Sequence, residues 1–249
     1  MALRKTMFVI ALASSLLTTH VHGGTVEDVL SSSDRSEADQ TRDITSKPAA
    51  VLNLLGLKPG MVVLDLFAGG GYYSEVLAGA VGEEGKVYMH NNKAYNQFAG
   101  EALKQRDLEN RMTNVVRYDK EIAEIDLPDD SVDMVLLVMA YHDVYWKADG
   151  WDLDRQVLFS MIKRVLRADG VLGIVDHVAA QGSGSSAVQE LHRIEPVFAK
   201  NDIESLGFEF AGQTSALQNT SDNPLVSVFD PSVQGKTNRF VYKFVESQD

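Results

Sequence analysis

Two segments of the sequence carry most of the side chains that could do chemistry. The first is Val62-Val63-Leu64-Asp65-Leu66-Phe67-Ala68-Gly69-Gly70-Gly71, an apolar run with an acidic residue near its end and a glycine-rich turn after it. Gly69 and Gly71 allow the backbone to turn tightly and to approach a ligand where a Cβ atom would collide. Asp65 can hold an ammonium group or order the amides of the turn. This segment predicts a binding loop for a small ligand.

The second segment is Tyr141-His142-Asp143, which follows the apolar run 132–139. The imidazole of His142 has an ordinary pKa suited to accepting a proton, and Asp143 could orient it. Trp146 could line a pocket and attract a cation to its ring face. The segment therefore predicts catalytic roles for Tyr141, His142 and Asp143. It also fits a structural interpretation, with Asp143 as a helix N-cap and His142 as a packed loop residue.

Further polar side chains follow later in the chain. His177 ends another apolar run, and His192 and Arg193 come after the flexible stretch 181–185. Histidines and aspartates could form a metal site of nitrogen and oxygen ligands, but no spacing matches a known zinc motif, so we predict no metal. Arg193 could hold a substrate carboxylate in a bidentate contact or form a surface salt bridge. Trp146, His177, His192 and Arg193 are the predicted substrate contacts.

An alternation of strands and helices positions these segments. Apolar, β-branched runs predict strands at 62–66, 86–90, 114–118, 132–139 and 171–176. Helical spacing of apolar residues lies before them over 43–55 and between them, for example over 153–166, and a turn is predicted at 168–170. Such alternation indicates a parallel, doubly wound sheet, in which ligands bind beyond the carboxyl ends of the strands. The glycine-rich turn and the histidines are therefore expected at one edge of the sheet.

The C-terminal part follows a different pattern. A helix is predicted over 196–206, and strands are predicted over 208–212 and 240–245, with the long polar loop 213–239 between them. Two strands joined without a crossover helix pair best in antiparallel fashion. The sequence therefore predicts an α/β fold, a Rossmann-like doubly wound seven-stranded sheet whose last strand is antiparallel.

The segment from Asp65 to Gly71 resembles motif I of class I S-adenosylmethionine-dependent methyltransferases, an acidic residue followed by Gly-x-Gly-x-Gly. The resemblance extends from about Asp43 to the C-terminus. The chain looks most like a family of bacterial, signal-bearing methyltransferases, on the matches Tyr141-His142-Asp143, Asp176-His177 and Leu191-His192-Arg193-Ile194. It implies the class I methyltransferase fold, S-adenosyl-L-methionine as cofactor, and methyl transfer to a small-molecule acceptor. The implied cofactor contacts are Asp65, Phe67, Gly69, Gly71, Asn91 and Asp119.

Two positions depart from the motif. Phe67 stands where the first glycine is usual, and Asn91 stands where the second strand usually ends in the acidic residue that binds the ribose hydroxyls. A hydrogen bond to a charged acceptor is worth roughly 1.5–3 kcal/mol, against about 1 kcal/mol for a neutral one. Asn91 therefore predicts weaker cofactor binding or a different cofactor. Asp119 resembles the contact to the adenine amine and fits a turn equally well.

Two other function classes stay open on the sequence alone. A non-catalytic binding or sensor protein on a methyltransferase fold would fit the departures at Phe67 and Asn91. It would also fit the N-terminal features, described below, that predict export. Gly69-x-Gly71-x-x-Ser74 imitates the fingerprint of a nicotinamide oxidoreductase, but the third glycine of that fingerprint is missing. Methyl transfer is the interpretation that we favour.

Composition and the N-terminus limit the partners and the location. The chain has 249 residues and no cysteine, which excludes disulfides. Its formal net charge of −12 argues against a nucleic-acid partner. A basic start and an apolar run over 7–17 predict a cleavable signal peptide over 1–23, with an uncleaved anchor as the alternative. We therefore expect an exported, periplasmic protein without stable membrane insertion, with a polar lead-in over 24–47 and a methyltransferase domain over 48–249. The oligomeric state stays open.

Overall fold

The structure, a computed structural model, describes residues 23–151 and 153–247. The predicted signal peptide lies outside these residues, apart from Gly23. One seven-stranded sheet forms the centre, in the order β3-β2-β1-β4-β5-β7-β6, with β7 antiparallel to both of its neighbours and the strands from β1 to β5 parallel. The strands are β1 Val62–Leu66, β2 Lys86–Asn91, β3 Val115–Asp119, β4 Val132–Val138, β5 Leu166–His177, β6 Phe208–Thr214 and β7 Arg239–Glu246. The predicted α/β fold with an antiparallel last strand is confirmed.

Helices cover both faces of this sheet. They are α1 Val26–Leu30, α2 Glu37–Ser46, α3 Pro48–Leu55, α4 Tyr72–Val81, α5 Lys93–Arg106, α6 Leu108–Arg111, α7 Arg155–Val165, α8 Val188–Leu191 and α9 Pro196–Glu204. Two single turns of 3-10 helix lie at Ile122–Glu124 and His142–Val144. Within the described part of the chain, no helix combines the length and the apolar character needed to cross a bilayer.

The central strand β4 explains why its sequence is apolar without interruption. Successive side chains of a strand point to opposite faces, so Val135 and Leu137 join the core beneath α7, where they meet Ile162. Leu136 joins the core of the other face, together with Leu77 of α4. All five side chains are fully buried. A parallel sheet covered on both faces requires apolar residues at every position of such a strand.

The N-terminal segment differs from the expectation. The sequence predicts one helix from Asp43 to Leu55, but α2 ends at Ser46 and α3 begins at Pro48, with Lys47 between them at a φ of 39°. A proline lacks the N–H of a continuing helix and disfavours helical geometry in the residue before it, so the chain breaks here.

The predicted polar lead-in over 24–47 also has more structure than expected. It folds into α1 and α2, and it buries the side chains of Arg35 and Asp39. Within α1, Val29 packs against the backbone of α4 at Gly79, where an added Cβ would lie 2.9 Å from two of its methyl groups. This segment therefore belongs to the packed structure around the glycine-rich loop.

Strand β5 is longer than the predicted 171–176. Its pairing with β4 passes from Val132↔Leu166 to Met134↔Val171, so three extra residues of β5 form an irregularity where the sequence predicts a turn. Bulges of this kind bend a strand without ending it. The carboxyl end of β5 still closes at His177, beside the end of β4.

Candidate functional site

The glycine-rich loop between β1 and α4 turns through residues with positive φ. The φ angles are 58° at Phe67, 56° at Gly69 and 80° at Gly71. A Cβ atom at Gly71 would lie 2.9 Å from the sulfur of Met89, so packing and backbone geometry both require glycine there. At Gly69 an added Cβ would meet nothing within 4 Å. The outer face of Gly69 is therefore open to a ligand.

Asp65 supports this loop from inside the protein. Its carboxylate accepts a hydrogen bond from the hydroxyl of Ser74 at 2.6 Å and is almost fully buried. Burial raises the pKa of Asp65 to about 6, although the bond from Ser74 lowers it. The side chain does not line the cavity described below, so its role as a direct cofactor contact stays a prediction.

Asn91 holds the loop through both of its polar atoms. The backbone N–H of Gly69 donates to Asn91 Oδ1 at 2.9 Å, and Asn91 Nδ2 donates to the carbonyl of Gly69 at 2.9 Å. An aspartate could accept the first bond but could not donate the second. The departure from the acidic residue of the motif therefore has a structural reason, and the contact of Asn91 with a ribose stays a prediction.

Phe67 belongs to an aromatic cluster, which we define as Phe67, Tyr95 and Trp151. The ring centroid of Phe67 lies 4.9 Å from that of Tyr95 and 5.7 Å from that of Trp151. Aromatic pairs prefer separations of this size. Phe67 is buried, while Tyr95 and Trp151 also line the cavity. The aromatic cluster thus joins Phe67 of the glycine-rich loop to two residues that line the cavity.

A cavity of about 960 Å³ lies beyond the carboxyl ends of the parallel strands. Its lining residues are Lys93, Ala94, Tyr95, Gln97, Phe98, Glu121, Met139, Asp143, Trp146, Ala148, Asp149, Gly150, Trp151 and His192. A second pocket of about 560 Å³ shares Lys93, Gln97 and Glu121 with it and includes Asp119, the predicted adenine contact. Parallel α/β sheets bind ligands at this edge.

Three side chains converge at the inner wall of the cavity, and we call His142, Asp143 and His192 the histidine cluster. His142 Nε2 lies 3.3 Å from Asp143 Oδ1 and 3.3 Å from His192 Nδ1. On the opposite side of the ring, His142 Nδ1 lies 2.8 Å from Asp176 Oδ1, and the backbone N–H of His142 donates to Asp176 Oδ2 at 2.7 Å. The ends of β4 and β5 therefore fix the position of this imidazole.

The electrostatics of His142 differ from the expectation. Burial alone would lower its pKa, but the carboxylates of Asp176 and Asp143 raise it to about 9. The sequence predicts that Asp143 orients the ring, whereas Asp176 does so. Burial and the charge on His142 lower the pKa of His192. With a pKa of about 9, His142 is protonated at neutral pH. A protonated imidazole does not suit the role of a free proton acceptor.

Two predicted site residues lie away from the cavity. The hydroxyl of Tyr141 is 2.5 Å from Asp202 Oδ2 of α9, and its ring is fully buried. Arg193 is 0% exposed and donates to Asp222 at 2.7 Å and to two backbone carbonyls. Both side chains hold loops and helices together and neither lines the cavity, so a catalytic Tyr141 and a substrate-binding Arg193 stay predictions without a contact to it.

Of the other three predicted substrate contacts, two line the cavity and one does not. Trp146 and His192 line the cavity, and their ring centroids lie 5.6 Å apart. His177 is buried, with Nδ1 2.7 Å from the hydroxyl of Thr237, and burial lowers its pKa to about 3. His177 therefore supports the fold behind the histidine cluster and does not line the cavity, and its substrate contact stays a prediction.

Sequence reasoning missed several residues that line the cavity. Tyr95 and Lys93 follow directly after β2, whose carboxyl end was already expected to face the site, and this position was the available signal. Trp151, one of two tryptophans in the chain, lies in an irregular loop without a recognisable motif. The indole N–H of Trp151 donates to the backbone carbonyl of Asp143 at 2.8 Å, a contact that only folding creates.

An arginine anchors the back of the glycine-rich loop. Arg106 of α5 donates to the carbonyl of Gly70 at 2.8 Å and to Asp39 of α2 at 2.9 Å, and it also pairs with Glu75 of α4. Arg111, which is more exposed, bonds to the other oxygen of Glu75 at 3.0 Å. The segment over 24–47 thus contributes to the support of the loop through Asp39.

Comparison with solved structures places the fold among known ones. An S-adenosylmethionine-dependent methyltransferase from Aquifex aeolicus is 22% identical, with 83% of this chain and 93% of that chain covered and a TM-score of 0.59. A TehB-like S-adenosylmethionine-dependent methyltransferase from Corynebacterium glutamicum is 13% identical, with coverage of 84% and 96% and a TM-score of 0.50. The [4+2]-cyclase SpnF is 16% identical, with coverage of 91% and 88% and a TM-score of 0.53. At these identities the likeness establishes the fold.

The family is established by sequence. No curated protein matches the chain. A family model described as a methyltransferase domain matches residues 57–218, which include the glycine-rich loop, the lining of the cavity and the histidine cluster. Because this match spans more than half of the sequence, the chain belongs to the methyltransferase-domain family.

Proposed function

We propose that this enzyme transfers a methyl group from S-adenosyl-L-methionine to a small-molecule acceptor in the cavity. The observation that carries the proposal is the position of this cavity at the carboxyl edge of the sheet, with the glycine-rich loop on one side and the histidine cluster at its wall. The family match and the S-adenosylmethionine-dependent enzymes of the same fold support this donor.

The loop fits the donor in part. The open outer face of Gly69 permits a ligand to approach the backbone, and Asp119 and Glu121 border the pocket next to the end of β3. Asn91 is buried and bonded to Gly69 through both of its polar atoms, so we do not assign the ribose to it. We therefore assign the contacts with the donor to Gly69, Asp119 and Glu121. When bound, it supplies an electrophilic methyl carbon.

The chemistry of the cavity suits a small, partly apolar acceptor. Phe98, Met139 and Trp146 provide apolar surface, and Lys93 and Asp143 provide charge of both signs. Pockets of this size and mixed lining bind small molecules. The net charge of −12 argues against a polyanionic acceptor such as a nucleic acid.

The location of the protein is a separate part of the proposal. The basic start and the apolar run over 7–17 support export to the periplasm. Amino-terminal sequencing of the protein recovered from cells tests this directly. A mature chain that begins near residue 24 in the periplasmic fraction supports export, and an intact amino terminus in the cytoplasmic fraction contradicts it.

The donor is tested by calorimetric titration with S-adenosylmethionine and with its demethylated product, S-adenosylhomocysteine. We expect binding of both at micromolar concentration, and no binding of a nicotinamide dinucleotide titrated under the same conditions. Release of S-adenosylhomocysteine with a panel of small acceptors then tests turnover, with Trp146→Ala as the cavity variant. The proposal fails if neither ligand binds at millimolar concentration.

A further inference from the structure

We propose that the histidine cluster is a binding site for a divalent transition-metal ion, with His142 Nε2, Asp143 Oδ1 and His192 Nδ1 as its ligands. One potential ligand atom from each of the three residues lies within 4.8 Å of the others. Two imidazoles and one carboxylate are a ligand set that Zn²⁺ and its first-row neighbours accept. His142 and His192 are 50 residues apart, which is why no sequence motif indicates this site.

The separations of the ligand atoms agree with those around a tetrahedral ion. Zinc–nitrogen and zinc–oxygen bonds of about 2.0–2.1 Å place tetrahedral ligand atoms about 3.3–3.4 Å apart. The distances from His142 Nε2 to Asp143 Oδ1 and to His192 Nδ1 are both 3.3 Å, and His192 Nδ1 lies 3.8 Å from Asp143 Oδ1. An ion can therefore enter with small side-chain movements, and it displaces into solvent the proton that His142 Nε2 carries at neutral pH.

A carboxylate behind the first histidine prepares it for a metal. Asp176 Oδ1, 2.8 Å from His142 Nδ1, accepts a hydrogen bond from the N–H of that nitrogen and leaves Nε2 on the cavity side as the ligand atom. Asp176 also accepts the backbone N–H of His142 at 2.7 Å, so the ring cannot turn freely. Metal-bound histidines almost always have such a partner. We assign Asp176 as a positioning residue.

The carboxylate ligand is prepared in a similar way. The hydroxyl of Tyr95 donates to Asp143 Oδ2 at 2.5 Å, and Trp151 Nε1 donates to the backbone carbonyl of Asp143 at 2.8 Å. The first bond orients the side chain and leaves Oδ1 directed to the two imidazoles, and the second holds the backbone of Asp143. The aromatic cluster thereby connects the glycine-rich loop to the site.

The site is open on one side, because Asp143 and His192 both line the cavity. Three protein ligands with a free position are typical of catalytic metal sites, in which water or substrate completes the coordination. An anionic or ionisable oxygen of the acceptor is the ligand that this position fits. An ion there would lower the pKa of a bound hydroxyl, with the proton leaving to solvent. This last step rests on the proposed methyl transfer, whereas ion binding does not.

The test is calorimetric titration of the metal-stripped full-length chain with Zn²⁺. We expect a single equivalent to bind the wild type at micromolar metal, and His192→Phe, which keeps an aromatic ring without a nitrogen, to lose that binding. His177→Asn is the matched control, because it removes a neighbouring imidazole that is not a ligand and is expected to bind Zn²⁺ as the wild type does. His20 and His22 are present in all three proteins, so their contribution cancels in the comparison.

Several outcomes would overturn the proposal. It is wrong if the wild type binds no zinc at millimolar metal, which would leave a shared proton as the occupant of the histidine cluster, or if His192→Phe binds zinc as tightly as the wild type does. Asp176→Asn is expected to weaken binding by about 10–100-fold in a protein whose circular dichroism is unchanged. The S-adenosylmethionine titration is read separately, so a failed donor assignment and a failed metal site are distinguishable.

Discussion

The two halves of the ligand-facing edge of the sheet use their polar groups in opposite ways. In the glycine-rich half, Asp65, Asn91 and Arg106 are each bonded to the loop or to the start of α4. In the histidine half, the ligand atoms of His142 and His192 face one another beside the cavity. In the glycine-rich half, the polar side chains use their hydrogen bonds to hold the backbone of the loop in place. In the histidine half, the ligand atoms of the side chains point to a common position.

This difference separates support from chemistry. Buried polar groups with fixed partners stabilise one conformation and are costly to break. Groups that converge with incompletely used lone pairs can bind an ion, a proton or a substrate. We therefore expect substitutions in the glycine-rich half to change stability and donor affinity. Substitutions in the histidine half should leave the fold intact and change what the site binds.

The largest effect is expected at Arg106. Arg106→Met leaves the carboxylates of Asp39 and Glu75 without their main partner, and removing one member of a buried ion network costs about 3–5 kcal/mol. The free energy of unfolding from urea titration measures this loss. Arg111→Met is the matched control, because Arg111 also bonds to Glu75 but is half-exposed, and it should cost less than about 1 kcal/mol. Equal losses in the two variants would remove the distinction that we draw for this half.

The second effect depends on pH. Burial raises the pKa of Asp65 from 3.8 to about 6, so the folded state binds a proton more tightly than the unfolded state does. The wild type should therefore lose about 2–3 kcal/mol relative to Asp65→Asn as the pH rises from about 4 to above 6. Asparagine keeps an acceptor for Ser74 and does not titrate.

Urea unfolding of the wild type and Asp65→Asn at pH 4 and pH 7.5 measures this difference. A difference in unfolding free energy that stays constant between the two pH values would show that Asp65 does not carry the burial cost assigned to it. The same pair of proteins reports on the loop, because Asp65 and Ser74 join β1 to the first turn of α4.

A third, smaller effect tests whether the bonds that hold the glycine-rich loop rigid also lower the affinity of the protein for the donor. Asn91→Asp removes the donor to the carbonyl of Gly69 and supplies a charged acceptor for ribose hydroxyls. We expect S-adenosylmethionine to bind about tenfold more tightly, since about 1.4 kcal/mol separates a charged from a neutral bond of this kind. The melting temperature should fall.

Asn223→Asp is the control for Asn91→Asp, because it adds the same charge away from both pockets and keeps the acceptor of the loop, where Asn223 Oδ1 accepts the N–H of Leu225 at 3.0 Å. Calorimetry with S-adenosylmethionine compares the two variants. A gain in affinity in both variants would indicate a general effect of charge, and a gain in neither would contradict the role assigned to the Asn91 amide.

The smallest effect on stability is expected in the histidine half. The side chain of His192 is 21% exposed and packs edge-on against Phe229 with ring centroids 4.9 Å apart, so His192→Phe keeps most of its contacts. We expect its free energy of unfolding to stay within about 1 kcal/mol of the wild-type value, although the variant loses a metal ligand. A loss above about 2 kcal/mol in urea titration would show that this half also serves mainly as support.

Much of the fold could be predicted because its signals are local. The apolar runs that predict strands and the absence of a helix between 213 and 239 depend on neighbouring residues only, and they were sufficient for the number of strands and the antiparallel β7. The break at Lys47 was missed, although Pro48 marked it, because the apolar spacing on either side is continuous. The irregular start of β5 was read as a turn for a similar reason.

The site was predicted less well than the fold. Adjacent residues in one motif can have opposite surroundings, as His192 at the cavity and the fully buried Arg193 show. Tyr141 and His142 likewise follow one another, yet the first bonds to α9 and the second to the end of β5. Side-chain direction decides such roles, and a sequence pattern reports position along the chain and not direction.

By itself, the sequence determined the class of fold, the glycine-rich loop and the edge of the sheet at which ligands bind, because strand and helix periodicity and glycine conformations are properties of short segments. Only the tertiary structure decided that Asp176 and not Asp143 orients His142, that Asn91 closes on Gly69, and that His192 reaches His142 from 50 residues away. Those contacts join the ends of different strands and loops. Their geometry depends on the packing of the whole sheet, which no local pattern encodes.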